Sequence, residues 1–254
     1  MQFRLKAFGL HLLGSASALT LVLGTLYLGW YGWPGWYLLS ALHVVGIVVL
    51  VDLVIGPTLT LIVAKPRKPR RVLARDIAMI VTVQLAALGY GAVTLWNGRP
   101  LYYTFSADRL EIVSASDIEA DEAAIARSQN PALAPHWYSL PRWIWAPLPD
   151  NPDEAMRIVN DASFGSGKDI IDMPRYFKPW EAGLPKLRDR LTRLDEMKYL
   201  SRKEKESLHA RVLAEGLTLD QRNSLIVWGG TRHLVAVFDP ATMRLRAFLK
   251  PDVG

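Results

Sequence analysis

Three long runs of apolar residues within the first hundred positions constrain this 254-residue chain more than any other feature. They cover about residues 10–28, 36–63 and 77–96, and none contains a lysine or an arginine. A helix needs roughly 20 apolar residues to cross the hydrocarbon core of a bilayer, so each run is long enough to span a membrane. A buried core helix would explain one such run, but three in succession indicate a membrane domain over residues 1–96.

The first run follows Arg4 and Lys6, as the apolar segment of a cleaved signal peptide would. It continues well past its patch of small residues at 15–18, however, and we therefore predict an uncleaved anchor.

Positive charge is concentrated in the connector at residues 64–76, whereas the connector between the first two runs is uncharged. By the positive-inside rule, this basic loop and the N-terminus are predicted to be cytoplasmic, and everything after Trp96 to lie outside. Four tryptophans fall at the predicted outer boundary, where indole rings are favoured. They are Trp30, Trp33, Trp36 and Trp96.

The net charge of +6 belongs entirely to residues 1–96, because residues 97–254 contain 22 basic and 22 acidic side chains. A basic patch that binds nucleic acid is the alternative reading of the connector. Its position in a short loop between two apolar runs instead favours a topology signal that also contacts anionic lipid headgroups, and we expect no nucleic-acid partner.

An aspartate interrupts the second run, in the sequence VDLVIGPT at residues 51–58. Asp52 precedes Val63 by eleven residues, which places it roughly 16 Å from the inner end of the span. A charged carboxylate at that depth costs at least about 2.5 kcal/mol, so Asp52 should face protein or be protonated. Gln84 in the third run is the predicted partner of this carboxylate. Other polar candidates are Ser15, Ser17, Thr20 and Thr82.

Gly56 and Pro57 follow Asp52 by about one turn. Because proline removes a helical hydrogen bond, we predict a kink there. Three roles stay open for the acid: a structural pairing that holds the bundle together, a docking site for a partner helix, and ion or proton conduction. Three spans offer few polar groups for a conduction pathway, which favours the structural pairing.

Residues 97–254 predict a mixed α+β domain with its own core. A hairpin is predicted from strands at 101–105 and 109–113, and another strand at 143–146. Helices are predicted at 117–128, 150–163, 183–200 and 201–216, the last with a capping box from Ser201 to Glu204. Three further strands close the chain.

No catalytic motif stands out in the sequence of this domain. The chain has no cysteine, and His136, His209 and His233 lack metal-ligand spacing, so neither a metal nor a cofactor is expected. The stretch FGSGKD at 164–169 lacks phosphate-loop spacing and is predicted to be a helix end and turn. Six aromatic residues are predicted in the core, with a peptide-binding groove as the alternative. They are Trp137, Trp143, Trp145, Tyr176, Phe177 and Trp180.

Four segments together resemble the TfpX/TfpZ family of type IV pilin accessory proteins. They are KAFGLHLLGSASAL, VDLVIGPTLTLIVAKPRK, QLAALGYGAVTLWNGRPLYYTFSADRLEIV and LVAVFDPATMRLRAFL. The resemblance is densest through residue 113 and looser in the charged helical middle. The positions that match the family pattern are Asp52, Gly56, Pro57, Arg99, Pro100, Phe105, Asp108 and Arg109.

The resemblance implies a multi-pass bacterial inner-membrane protein with a periplasmic α+β domain, which assists pilin stability, pilus assembly or surface display without catalysis. It carries over no catalytic residue. The expected partner is the major type IV pilin, with Asp52 or Gln84 satisfying a polar group of the pilin helix, and the oligomeric state stays open.

Two other classes of protein are alternatives. A membrane-bound enzyme that modifies pilin, such as a glycosyltransferase, would be expected to carry a D-x-D metal motif, and the sequence has none. A membrane sensor subunit would need a cytoplasmic output module, whereas the predicted cytoplasmic part is one short loop.

Overall fold

A computed structural model describes residues 1–164 and 167–252 of the chain. Gly165 and Ser166, in the predicted turn at 164–169, lie outside the described residues. The chain divides into two compact units, Met1–Arg99 and Pro100–Gly254, which we call the helical unit and the sheet unit.

The helical unit contains three helices that are long and apolar enough to cross a membrane, as the three apolar runs predict. We call them span 1 (Gln2–Tyr31), span 2 (Leu42–Val63) and span 3 (Arg70–Asn97). The component helices are α1 (Gln2–Leu26), α2 (Gly35–Leu38), α3 (Leu42–Val49), α4 (Gly56–Val63) and α5 (Arg70–Asn97), with π-helical segments at Tyr27–Tyr31 and Leu50–Ile55.

Span 2 begins later than predicted, and spans 1 and 3 begin earlier. The predicted start of span 2 at residue 36 falls instead in the separate short helix α2. Ser40 has a positive φ, which breaks the helical conformation before α3. Spans 1 and 3 begin earlier because α1 and α5 extend N-terminally into charged residues, and lysine and arginine are good helix formers.

Hydrogen bonds connect the N-terminal part of span 1 to the C-terminal end of span 2. The Arg4 guanidinium donates to the main-chain carbonyls of Leu61 and Ile62, over 2.9 and 3.1 Å. These carbonyls lie in the last turn of α4, where a helix lacks internal donors and a cation is favoured. Spans 2 and 3 approach closely at Gly91, where an added Cβ would lie 2.3 Å from a methyl group of Val48.

The tryptophans predicted at one boundary do gather within the helical unit. The rings of Trp30 and Trp96 lie 5.0 Å apart and those of Trp33 and Trp36 lie 5.9 Å apart. Beside them, the Tyr31 hydroxyl donates to the Leu95 carbonyl over 2.8 Å, which ties the end of span 1 to span 3.

The sheet unit is built on a seven-stranded mixed sheet with strand order β4-β3-β1-β2-β5-β6-β7. Neighbouring strands are antiparallel except for the parallel pairs β1–β3 and β2–β5. The strands are β1 (Pro100–Ser106), β2 (Arg109–Ser114), β3 (Arg142–Trp145), β4 (Lys178–Pro179), β5 (Ser224–Gly229), β6 (Arg232–Phe238) and β7 (Leu245–Leu249). The helices are α6 (Ala120–Gln129), α7 (Pro152–Phe164), α8 (Trp180–Arg190) and α9 (Arg202–Ala214), with 3₁₀ turns at Ile170–Asp172, Pro174–Tyr176 and Leu194–Glu196.

The sheet curves into a half-barrel. Phe248 on β7 lies 6.5 Å from Tyr103 on β1, ring to ring, although three strands separate them in the sheet. The Trp143 ring on β3 stacks against both of these rings, with centroids 5.0 Å from Tyr103 and 6.1 Å from Phe248. The right-handed twist of β-sheets accounts for curvature of this kind.

Six of the seven strands, α6, α7 and α9 form close to their predicted positions, and the capping box of Ser201 and Glu204 is present. The two-residue strand β4 was not predicted. The predicted helix at 183–200 is wrong in its second half, because α8 ends at Arg190. Thr192 then pairs with Ser224 beside β5, and this tertiary hydrogen bonding replaces helical bonding. The core position predicted for Trp137 is also wrong, since its side chain is 74% exposed.

Candidate functional site

A π-helical segment in span 2 holds Asp52, which is only 3% exposed. Here the Gly56 N–H donates to the Val51 carbonyl, five residues back instead of four. The next bond of this pattern would join Pro57 to the carbonyl of Asp52, but proline has no N–H. Sequence analysis predicts a kink near Asp52, and the structure has this π-helical irregularity there.

Gln84 in span 3 supplies the missing donor. Its Nε2 lies 3.1 Å from the Asp52 carbonyl oxygen and 3.4 Å from the Ser15 hydroxyl of span 1. The sequence predicts that Gln84 pairs with the Asp52 carboxylate. Gln84 does interact with this carboxyl group, and its 3.1 Å bond runs to the main-chain carbonyl of the same residue. The reason is that Pro57 leaves the carbonyl without a partner, a consequence of the π-helical register.

Gly56 makes room for this amide. A Cβ added at Gly56 would lie 2.0 Å from Nε2 of Gln84, so any larger residue would displace the amide. Gly56, Pro57 and Gln84 are therefore coupled: the proline removes a donor, the glutamine replaces it, and the glycine admits the glutamine.

His11 of span 1 completes the cluster. Its Nε2 lies 2.6 Å from Oε1 of Gln84 and its Nδ1 lies 2.5 Å from the Thr60 hydroxyl of span 2. Because the Asp52 carbonyl only accepts, the Gln84 amide nitrogen must face it, and Oε1 then accepts from His11 Nε2–H. In the neutral imidazole, Nδ1 accepts from Thr60, and one network joins all three spans.

His11 and Thr60 were not among the polar partners predicted for Asp52, and two of the predicted candidates do not belong to the network. Thr82 and Ser17 are exposed, and each bonds to a carbonyl of its own helix, on Ala78 and Leu13. The signal that could have identified His11 is its spacing from Ser15, because residues four apart lie on one face of a helix.

The Asp52 carboxyl group differs from its neighbours, because its Oδ2 is buried and has no hydrogen-bond partner. Asp52 also lines a cavity of about 500 Å³, together with His11, Ser15, Thr60 and Gln84. Apolar side chains of α1 and α5 form the rest of its wall. The cavity therefore lies beside a buried carboxyl oxygen that the chain itself leaves without a partner, within an apolar surface. Among residues 1–164 and 167–252, no group of three or more His, Cys, Asp or Glu side chains is placed to hold a metal ion.

The family-pattern residues after span 3 lie on several different elements. The Arg99 guanidinium lies 4.2 Å from the centre of the Trp96 ring, at the end of the helical unit. In the sheet unit, Pro100 begins β1 and Phe105 is buried in the core. Asp108 is in the turn of the β1–β2 hairpin, and Arg109 begins β2.

Arg109 is the centre of a small ionic network. It contacts Glu111 at 2.9 Å, Asp169 at 3.3 Å and Asp108 at 4.0 Å. These contacts fasten the hairpin to the turn at Ile170–Asp172, which makes a structural role the simplest account of Arg109.

A second cavity, of about 970 Å³, lies within the sheet unit. Trp143, Trp180 and Phe238 are among the residues that line it. Two of the aromatic residues considered in sequence analysis as core or groove thus border an open space.

Comparison with known proteins finds three relatives in Dichelobacter nodosus. The chain is 27% identical to the fimbrial assembly protein of serogroup I over 189 residues and 26% identical to that of serogroup E1 over 189 residues; each alignment covers 73% of this chain and 70% of the relative. It is 30% identical to the fimbrial assembly protein of serogroups C1 and C2 over 120 residues, which cover 47% of this chain and 92% of that relative.

No family model matches the sequence, and no solved structure matches the fold. The relative from serogroups C1 and C2 combines 30% identity with nearly complete coverage of its own length. This chain therefore belongs to the family of the fimbrial assembly proteins.

Proposed function

We propose that this protein is a non-enzymatic accessory protein of type IV pilus assembly, of the TfpX/TfpZ type, located in the bacterial inner membrane. In this proposal, the helical unit holds the apolar segment of the major pilin before assembly, and the sheet unit contacts the pilin head in the periplasm. The observation that carries it is the family relationship with proteins named for fimbrial assembly.

Two properties of the chain support an accessory role. Its three candidate spans are compatible with an inner-membrane protein that could pack against a membrane-anchored pilin. The two cavities described above are lined mostly by apolar and aromatic groups, which suit binding of a protein segment.

The test is deletion of the gene in its natural host, followed by complementation. We expect the deletion strain to lose most surface pili, with cellular pilin either degraded or retained in the inner membrane. Complementation with the intact gene should restore piliation, and complementation with an empty vector is the control. Normal piliation and a normal pilin half-life in the deletion strain would contradict the proposal.

A pilin-modifying enzyme is the alternative that the same strain can test. If the protein modified pilin, intact pilin from the deletion strain would differ in mass from wild-type pilin. We expect identical masses, together with a loss of assembly.

A further inference from the structure

The cavity beside Asp52 is an open groove between spans 1 and 3. Its lining runs from Ala7 to Ala18 on α1 and from Ile77 to Leu88 on α5. Eleven residues of helix correspond to roughly 16 Å, or three turns. The groove is therefore long enough to receive several turns of another helix.

Small side chains form most of the α1 wall of this groove, which also includes Leu10 and His11. Ala7, Gly14, Ser15 and Ala18 all line it, and a Cβ added at Gly14 would meet no atom within 4 Å. Helices in membranes associate where small residues allow close approach of their backbones. The space at Gly14 is thus unfilled by the chain itself and has the character of a helix-packing surface.

Asp52 determines which kind of occupant the groove suits. Its Oδ2 is buried, has no partner and belongs to a residue that lines the groove. A lipid acyl chain could fill the apolar space, but it has no donor for this oxygen, and an unsatisfied polar group in hydrocarbon is costly. The occupant that suits both features is a transmembrane helix with a hydrogen-bond donor at the depth of Asp52, which the carboxyl group meets by rotating toward the groove.

We propose that this groove is the docking site for the membrane helix of pilin, which packs against Gly14 and donates a hydrogen bond to Asp52. The identity of the helix rests on the proposed function, whereas the location of the site rests on the groove. Gln84 and His11 hold the groove open, because their hydrogen bonds fix the three spans around it.

Site-specific photocrosslinking in cells tests the location. Leu85 and Val83 are both on α5 and are similarly exposed, at 59% and 61%, but only Leu85 lines the groove. A photoreactive amino acid at Leu85 should capture pilin, identified by immunoblot and mass spectrometry, and the same probe at Val83 should not. Equal capture at both positions, or capture of lipid or of a second copy of this chain at Leu85, would overturn the site.

Blocking the groove gives an independent test. Gly14→Leu should lower pilin capture at Leu85 by roughly fivefold or more, the factor that corresponds to about 1 kcal/mol. The matched control is Gly9→Leu on the same helix, because Gly9 also has open space around it but does not line the groove. Both variants should retain wild-type thermal stability in detergent; a stable Gly14→Leu protein with wild-type capture would refute the proposal.

Substitution of Asp52 tests the hydrogen bond. Asp52→Asn keeps an acceptor oxygen and should retain most of the capture, whereas Asp52→Leu should reduce capture by roughly fivefold. If the Asp52→Leu variant captures pilin with the same efficiency as the wild-type protein, Asp52 does not bind the pilin helix.

The outcomes separate this inference from the proposed function. Capture of pilin only through probes in the sheet unit, for example at Trp180, would overturn the groove but leave the accessory role intact. Normal piliation in the deletion strain would instead remove the proposed function, whatever occupies the groove.

Discussion

The side-chain amide of Gln84 donates a hydrogen bond over 3.1 Å to the main-chain carbonyl of Asp52, the acceptor that Pro57 leaves without an N–H group. The same amide accepts a bond from His11, so one side chain connects three apolar helices. A local defect in span 2 is thereby converted into a fixed arrangement of the helical unit.

Gln84→Leu should destabilise the helical unit, because it leaves the Asp52 carbonyl and His11 Nε2 without partners. We expect a loss of about 1–3 kcal/mol in unfolding free energy, given that a polar contact between membrane helices contributes roughly 0.6–2 kcal/mol. Denaturation with SDS in mixed micelles measures it. Thr82→Val on the same helix is the control and should be nearly neutral, because Thr82 is exposed and bonds only to its own helix.

Gly56→Ala should disrupt the network through a clash, since its Cβ would lie 2.0 Å from Gln84 Nε2. A double-mutant cycle with Gln84→Ala identifies the cause: the glycine substitution should be costly in the wild type and much less costly once Gln84 has been shortened. Gly46→Ala, which meets nothing within 4 Å, is the control. Additive effects of Gly56→Ala and Gln84→Ala would contradict the predicted coupling.

Asp172 should make the stability of the sheet unit depend on pH. Burial raises the pKa of its carboxyl group from 3.8 to about 6, and the charges of Asp117, Asp169 and Glu111 add to this effect. The folded state therefore binds the proton more tightly than the unfolded state does. The stabilisation that Asp172 contributes to the unfolding free energy is fully present below about pH 4. It is lost as the pH rises through 6, and the total loss is at most about 3 kcal/mol.

Asp172→Asn removes this titration and keeps an oxygen that can accept the main-chain N–H of Asp169. The advantage of the variant over wild type should therefore grow between pH 4 and pH 7.5. Hydrogen exchange of the β5 and β6 amides in the full-length protein measures the unfolding free energy. A difference between the two proteins that is independent of pH would exclude Asp172 as the titrating group.

The predicted topology can be tested with single cysteines, because the natural chain contains none. Leu140→Cys in the sheet unit should react with a membrane-impermeant maleimide in intact spheroplasts. Pro66→Cys in the basic connector should react only after permeabilisation, since it keeps all the cations from which the positive-inside rule predicts a cytoplasmic loop. The opposite labelling pattern would reverse the orientation.

The outline of the fold was predictable because its signals are local. Apolar length identifies the three spans, and short β-rich runs identify the strands. The helix predicted at 183–200 shows where this reasoning stops, since Thr192 pairs with Ser224, 32 residues away. Helix propensity cannot anticipate a partner at such a distance.

Apolar length and local patterning are enough to predict that three apolar helices precede an α+β unit, and that an acid, a glycine and a proline interrupt the second helix. How the hydrogen bonds of that interruption are satisfied depends on the packed arrangement of the three helices. Pro57 removes a donor in span 2, and the replacement comes from Gln84, 32 residues beyond Asp52 in the chain. His11, which precedes Asp52 by 41 residues, completes the network. Which hydrogen bonds form between helices depends on which helix faces are in contact, and the packing of the whole helical unit determines those contacts.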